Sequence, residues 1–171
     1  QAQQSSNLPM LPAPDLTGTW QSNFQSPAAQ MHVREYLTRG RQLQEQWCGF
    51  AWPASEIDRR LSVISRGRLK WEIERTAGGR AYWRTTSNES GRSKRDLLAY
   101  CENRPDAILK CKILCPSEDA ACRPGDLFLR VEARRLYLLT PMRKSEMQCE
   151  GANVPPDQTE WTSPAFLEST R

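Results

Sequence analysis

The chain has 171 residues, with 24 Lys and Arg against 20 Asp and Glu, and a formal net charge of +4. Hydrophobic residues make up 38% of it, and no apolar run approaches the roughly 18 residues that span a bilayer, which excludes a membrane-spanning helix. Without a clustered basic stripe and stacking aromatic residues, so small a charge does not indicate nucleic-acid binding. Six Trp, four Tyr and four Phe are enough to build the core of one domain.

Residues 1–15 hold three prolines and mostly small or polar side chains, which predicts a flexible N-terminal arm. From residue 16 onward, short stretches alternate between apolar and polar residues, as half-buried strands require. In the clearest of them Leu69, Trp71 and Ile73 share one face. The predicted strands cover residues 16–22, 31–36, 43–47, 68–74, 81–86, 108–114, 127–132 and 135–140.

Residues 54–65 are the best helical candidate, because Ser55 is a suitable N-cap and Ile57, Leu61 and Ile64 recur at helical spacing. The end of this segment also fits a strand. Many short strands separated by Gly, Pro, Asn and Ser are typical of an antiparallel barrel or sandwich. We therefore predict an all-β fold with minor helix, an antiparallel β-barrel of about eight strands over residues 16–144.

Residues 145–171 contain Pro155, Pro156 and Pro164. Proline has no backbone N–H to donate to a sheet ladder. We therefore predict an irregular C-terminal tail that wraps the surface of the same domain and is pinned by Cys149 and Trp161.

Residues 15–23 contain a G-x-W motif formed by Gly18, Thr19 and Trp20. In this stretch the chain resembles the lipocalins and the wider calycin-like β-barrels, whose first strand carries this motif. In that family the Trp closes one end of the barrel, and a basic residue from near the end of the barrel packs across its ring. The resemblance implies structural roles for Gly18 and Trp20, with Arg143 as the nearest candidate for the basic residue.

Six cysteines, an even number, predict disulfides. They are Cys48, Cys101, Cys111, Cys115, Cys122 and Cys149. A zinc site is the competing interpretation, but the chain has no C-x2-C pair and a single histidine, His32. Short loop closure and flanking prolines favour a bridge from Cys115 to Cys122. We predict no metal and no other cofactor.

Disulfides form in oxidising compartments. Residues 1–6 are polar and hold neither a Met nor an apolar segment, as expected once a signal peptide has been removed. We therefore predict an exported protein of a bacterial periplasm or cell surface, with a eukaryotic secreted protein as the alternative.

A group of aromatic residues is a candidate ligand site at the mouth of the barrel. Its members are Trp47, Phe50, Trp52, Trp71 and Trp83. Such side chains stack on a sugar ring or cover an apolar ligand, although ordinary core packing is the alternative interpretation. Residues 47–53 place aromatic side chains around Gly49 and Pro53, which is typical of a recognition loop.

Charge is unevenly distributed along the chain. Residues 59–95 carry a local balance of +8, whereas residues 145–171 carry −4. Either the acidic tail covers the basic sheet, or the basic face binds an acidic protein, an acidic polysaccharide or a lipid head group. In the second case Arg92, Lys94 and Arg95, in the loop of residues 90–95, are the expected contacts. A solvated hairpin tip is the alternative for this loop.

Catalytic motifs are missing. No G-x-S-x-G elbow surrounds a serine, any Ser or Cys nucleophile would have to use His32, and Glu72 and Glu74 lie on the predicted solvent face. We therefore predict no enzyme but a binding protein, with a small apolar or glycan ligand in a lipocalin-like barrel. The alternative is an envelope-side interaction module, an inhibitor or assembly partner that uses the Arg-rich face.

Overall fold

Antiparallel strands make up most of the computed structural model, which describes residues 15–64, 68–75, 80–87, 93–103, 106–115, 125–147, 149 and 157–170. The expected mainly antiparallel β-fold with minor helix is confirmed. The elements are β1 (Gly18–Gln21), α1 (Pro27–Cys48), α2 (Glu56–Ile64), β2 (Leu69–Arg75), β3 (Arg80–Ser87), β4 (Ser93–Asn103), β5 (Leu109–Leu114), β6 (Gly125–Glu132), β7 (Arg135–Arg143), a one-turn 3₁₀ helix (Lys144–Glu146) and β8 (Thr159–Ser169). The predicted N-terminal arm lies almost entirely outside the described residues.

Each strand pairs antiparallel with the next one along the chain, from β1 to β8. The sheet curls so far that β1 also pairs with β8, through Trp20↔Ser169 and Gln21↔Glu168. The segment between β1 and β2 leaves the sheet to form both helices.

Apolar side chains fill the inner face of the curled sheet. Because residues alternate between the two faces of a strand, one set from many strands converges on a single cluster. Its buried members are Leu16, Trp20, Trp71, Ile73, Leu109, Cys111, Leu129, Leu136 and Leu167. Leu129, Leu136 and Leu167 have no exposed surface, so this face is a packed core.

Helix α1 has clear start and stop signals. The Ser26 side chain accepts a 3.1 Å hydrogen bond from the backbone N–H of Ala29, and Pro27 takes the first helical position. Gly49 ends the helix in the left-handed region, at φ 81°, where glycine is favoured. The strands predicted at 31–36 and 43–47 are therefore wrong, because both segments lie inside this helix. The helix predicted at 54–65 is confirmed as α2.

Helix α1 packs on the outer side of the sheet. A 3.0 Å hydrogen bond joins His32 Nε2 to Ser163 Oγ on β8, and the His32 ring lies 5.2 Å from the Phe166 ring and 5.5 Å from the Tyr137 ring. Val33 and Leu37 on α1 pack with Leu61 on α2 in a second apolar cluster. Helix α1 therefore covers the outer face of β7 and β8, and α2 packs against α1.

The irregular tail predicted for residues 145–171 is wrong where β8 forms, since this strand pairs with both β7 and β1. Pro164 is tolerated because the register between β7 and β8 shifts between Leu138 and Thr140. Ala165 pairs with Leu138 and Thr162 with Thr140, so Pro164 lies at the irregularity, where no ladder N–H is required.

The contact expected between Arg143 and the Trp20 ring is also wrong. Trp20 is buried, and its Nε1 donates a 2.8 Å hydrogen bond to the Leu16 carbonyl. On β8, Arg143 pairs with Thr159 and Trp20 with Ser169. Ten residues of strand separate those partners, which is about 33 Å at roughly 3.3 Å per residue.

Disulfides are confirmed between Cys48 and Cys149 and between Cys101 and Cys111. The second bridge joins directly opposed residues of β4 and β5. Cys115 is also disulfide-bonded. The predicted partner Cys122 lies outside the described residues.

Candidate ligand-binding groove

A groove of about 540 Å³ lies between the two helices and the end of β7. We call it the helix–strand groove. Tyr36, Leu37, Gly40 and Gln44 of α1 line one wall, with Trp52 and Arg60 beside them. The opposite wall consists of Thr140, Pro141, Met142 and Arg143 of β7, followed by Glu146 and Met147. The groove is therefore outside the packed core of the sheet.

Gly40 lets α1 approach β7 closely. A Cβ atom at this position would lie 3.2 Å from the terminal methyl carbon of Met142 and 3.8 Å from its sulfur. Methionine is flexible and adapts to irregular apolar surfaces, so Met142 forms a wall that adjusts to an occupant.

Trp52 is fixed by its backbone. Its N–H donates a 2.9 Å hydrogen bond to Gln44 Oε1, and its carbonyl accepts a 2.7 Å hydrogen bond from Arg41 Nε. Both partners belong to α1. The Arg60 guanidinium carbon lies 4.4 Å from the centre of the Trp52 ring, within the range of a cation–π contact. The ring is thus a preorganised face of the groove.

Two carboxylates lie near the cations of the groove. Glu56 Oε2 accepts hydrogen bonds of 2.9 and 2.6 Å from Arg59 and lies 3.8 Å from Arg60 Nε. The hydrogen bonds from Arg59 hold the pKa of Glu56 below its ordinary value. Glu146 Oε1 lies 3.5 Å from Arg143 Nη1, at the limit of hydrogen bonding.

Tyr36 adds a phenol to the α1 wall. Burial raises the pKa of this phenol, and the nearby positive charge of Arg60 partly offsets that effect. Tyr36 is therefore neutral at physiological pH and available as a hydrogen-bond donor or acceptor.

The wall opposite α1 is attached to the rest of the molecule by hydrogen bonds and by a disulfide. The backbone N–H and the hydroxyl of Ser145 donate hydrogen bonds of 2.8 and 3.0 Å to the Asp157 carboxylate. The Cys48–Cys149 disulfide ties the end of α1 to the segment that follows Met147. The backbone of this wall is therefore held in place, while the side chains that it carries, such as Met142, remain adjustable.

The predicted aromatic cluster is dispersed. Trp52 lines the groove, whereas Trp71 is buried in the core of the sheet. Trp47 is half-buried in the last turn of α1, and Phe50 is 54% exposed in the loop that follows. The side chain of Trp83 lies outside the described residues. Among the predicted ligand-site residues whose side chains the structure describes, Trp52 of the predicted recognition loop is therefore the one that lines the groove.

Two of the residues predicted to contact a partner lie on a strand and not in the expected loop. Lys94 and Arg95 belong to β4, opposite Thr86 and Thr85 of β3, and not to a hairpin loop. Arg92 and the side chains of Lys94 and Arg95 lie outside the described residues.

Sequence reasoning missed the wall of the groove that lies opposite α1, to which Met142, Arg143 and Met147 contribute. No local motif marks these residues, because they meet Tyr36 and Trp52 only after α1 has folded onto β7. Gly40 inside a helical stretch was an available signal, since an interior glycine often marks a close approach.

Within the described part of the chain, no three His, Cys, Asp or Glu side chains are grouped so that they would hold a metal ion. Comparison of the chain with models of known protein families, with characterised proteins and with solved structures finds no match.

Proposed function

We propose that the protein is an exported, non-catalytic binding protein that holds a small, largely apolar ligand in the helix–strand groove. The observation that carries this proposal is the groove itself. Its volume of about 540 Å³ lies within the roughly 300 to 1,000 Å³ of small-molecule sites. Its rigid Trp52 face lies opposite the adaptable side chain of Met142, a combination suited to an apolar body of variable shape.

The groove replaces the barrel interior as the ligand site. Leu129, Leu136 and Leu167 fill the inner face of the sheet, which favours a scaffold role for the sheet. We retain a lipocalin-like barrel of about eight strands as the proposed scaffold. The pairing of β1 with β8 and the burial of Trp20 in the G-x-W motif support it.

Export is supported by the disulfides, which persist in oxidising compartments. Neither described helix is long and apolar enough to cross a bilayer.

A neutral fluorescent probe, N-phenyl-1-naphthylamine, tests the proposal, because its emission rises when its rings enter an apolar site. We expect one equivalent to bind, and Trp52→Ala to weaken its binding by about tenfold, as loss of a large stacking face implies. Phe50→Ala is the matched control, since it removes an exposed aromatic ring from the same loop outside the groove.

Circular dichroism of each variant checks that it is folded. Trp52→Phe is a second variant that keeps an apolar ring, and we expect it to bind between wild type and Trp52→Ala. Absence of probe binding to the wild-type protein, or equal losses in Trp52→Ala and Phe50→Ala, would overturn the proposal.

A further inference from the structure

Arginine side chains reach the helix–strand groove from two separate elements. Arg60 comes from α2 and Arg143 from the end of β7, more than 80 residues apart in the sequence. The remainder of the lining is aromatic, aliphatic, amide, hydroxyl or thioether, apart from the single carboxylate of Glu146. A purely apolar ligand would cover part of these two charged groups without offering them a hydrogen-bond acceptor, which costs free energy.

Arg60 is positioned to donate hydrogen bonds. Its guanidinium carbon lies 4.4 Å from the centre of the Trp52 ring, and a cation–π contact of this kind uses the charge of the group without consuming its N–H donors. Arg60 also forms a long ion pair with Glu56, 3.8 Å from Nε, but the same carboxylate accepts two shorter hydrogen bonds from Arg59. The N–H groups of Arg60 are therefore suited to an acceptor that enters the groove.

Arg143 is held loosely by its neighbours. Its 3.5 Å contact with Glu146 joins two exposed side chains, 49% and 62% accessible, and exposed pairs of this kind contribute little to stability. The Asp157 carboxylate, which also feels the charge of Arg143, is committed to hydrogen bonds from Ser145. An incoming anion would replace Glu146 at small cost.

We infer that the ligand of the groove is an organic anion, with an apolar body against Trp52 and Met142 and one acidic group hydrogen-bonded to Arg60. Arg143 adds a second cation that attracts the same group. This inference rests on the proposed binding function and specifies its ligand class. Carboxylates, sulfonates and phosphates share the required chemistry, because each presents oxygen acceptors to a planar guanidinium.

A matched pair of probes tests the inference on the wild-type protein. 1-Anilinonaphthalene-8-sulfonate carries the ring system of N-phenyl-1-naphthylamine with one added sulfonate. We expect the sulfonate probe to bind about tenfold tighter at low salt, to displace the neutral probe, and to lose part of its advantage at high ionic strength. Dodecanoate should displace both probes better than dodecanol if the site accepts carboxylates, and failure of dodecanoate would restrict the class to sulfonates and phosphates.

Variants assign the effect to the groove. Arg60→Gln should abolish the preference for the sulfonate probe, so that the ratio of its affinity to that of the neutral probe, measured on the same variant, falls to about one. Glu146→Gln should tighten binding of the sulfonate probe, since it removes the carboxylate that competes for Arg143. Arg34→Gln is the control, because it removes the same charge from an exposed side chain on α1 that pairs with Asp58.

The outcomes separate the two proposals. If both probes bind to the groove with equal affinity, or Arg60→Gln and Arg34→Gln behave alike, the inferred anion specificity is wrong while the binding function stands. If the sulfonate probe binds without displacing the neutral one, its site lies elsewhere and the inference is wrong. If neither probe binds, the proposed function itself fails.

Discussion

Replacing Gly40 by alanine tests the close contact between α1 and β7. Glycine inside a helix is less favourable than alanine by about 0.8 to 1 kcal/mol. Against this gain, the new Cβ would lie 3.2 Å from the Met142 terminal methyl, a few tenths of an ångström inside the ordinary carbon–carbon separation of about 3.5 to 4.0 Å. A small rotation of the flexible methionine relieves this contact for a fraction of the roughly 0.5 to 1.5 kcal/mol of an off-rotamer side chain.

We therefore expect Gly40→Ala to raise the free energy of unfolding by about 0.5 kcal/mol, with an unchanged denaturant slope. The displaced Met142 methyl should at the same time narrow the groove and weaken binding of N-phenyl-1-naphthylamine. Urea unfolding followed by tryptophan fluorescence measures the first effect, and probe titration measures the second. A loss of more than about 1 kcal/mol would show that Met142 cannot move and that the wall is rigid, contrary to the reasoning.

Three further predictions concern the scaffold. Burial is the main cause that lowers the pKa of His32, against the opposing charge of Glu35, so the unfolded chain binds more protons at acidic pH. The contribution of His32 to the free energy of unfolding is fully present above the ordinary pKa of 6.5 and is lost as the pH falls from there toward the lowered pKa. Urea unfolding across this pH range should show that His32→Gln removes the pH dependence. Leu136→Ala should cost about 3 to 5 kcal/mol in urea unfolding because Leu136 is fully buried, whereas Val63→Ala, at an exposed site, should change stability by less than about 0.5 kcal/mol. Replacing Cys48 and Cys149 together by alanine should cost about 2 to 4 kcal/mol, because their bridge closes a sequence separation of 101 residues; an unchanged thermal midpoint would contradict this.

The sheet was predictable wherever one face of a strand is buried and the other exposed. Leu69, Trp71 and Ile73 alternate with charged residues, and they belong to β2 with Trp71 and Ile73 in the core. Helix α1 was misread because short windows such as 31–36 also contain alternating residues. Across the longer window 29–37, the buried residues Ala29, Val33 and Leu37 lie four residues apart, which is helical spacing.

The C-terminal strand was missed because proline was treated as incompatible with a sheet. Pro164 instead lies at a register shift between β7 and β8, a tertiary feature that its own neighbours in sequence do not indicate. The groove was missed for the same reason, because it too depends on tertiary packing. The recognition loop around Trp52 was identifiable from its composition, but its partners on β7 depend on how α1 packs over the sheet.

The location of the ligand is tested most directly by a ¹H–¹⁵N spectrum of the six tryptophan indoles during titration with N-phenyl-1-naphthylamine. Loss of one peak in Trp52→Phe assigns the Trp52 indole, and variants at Trp20 and Trp71 assign two indoles of the core. The account predicts the largest shift at Trp52 and little change at Trp20 and Trp71. Shifts concentrated at Trp20 and Trp71, with Trp52 unmoved, would place the ligand inside the sheet and contradict the account.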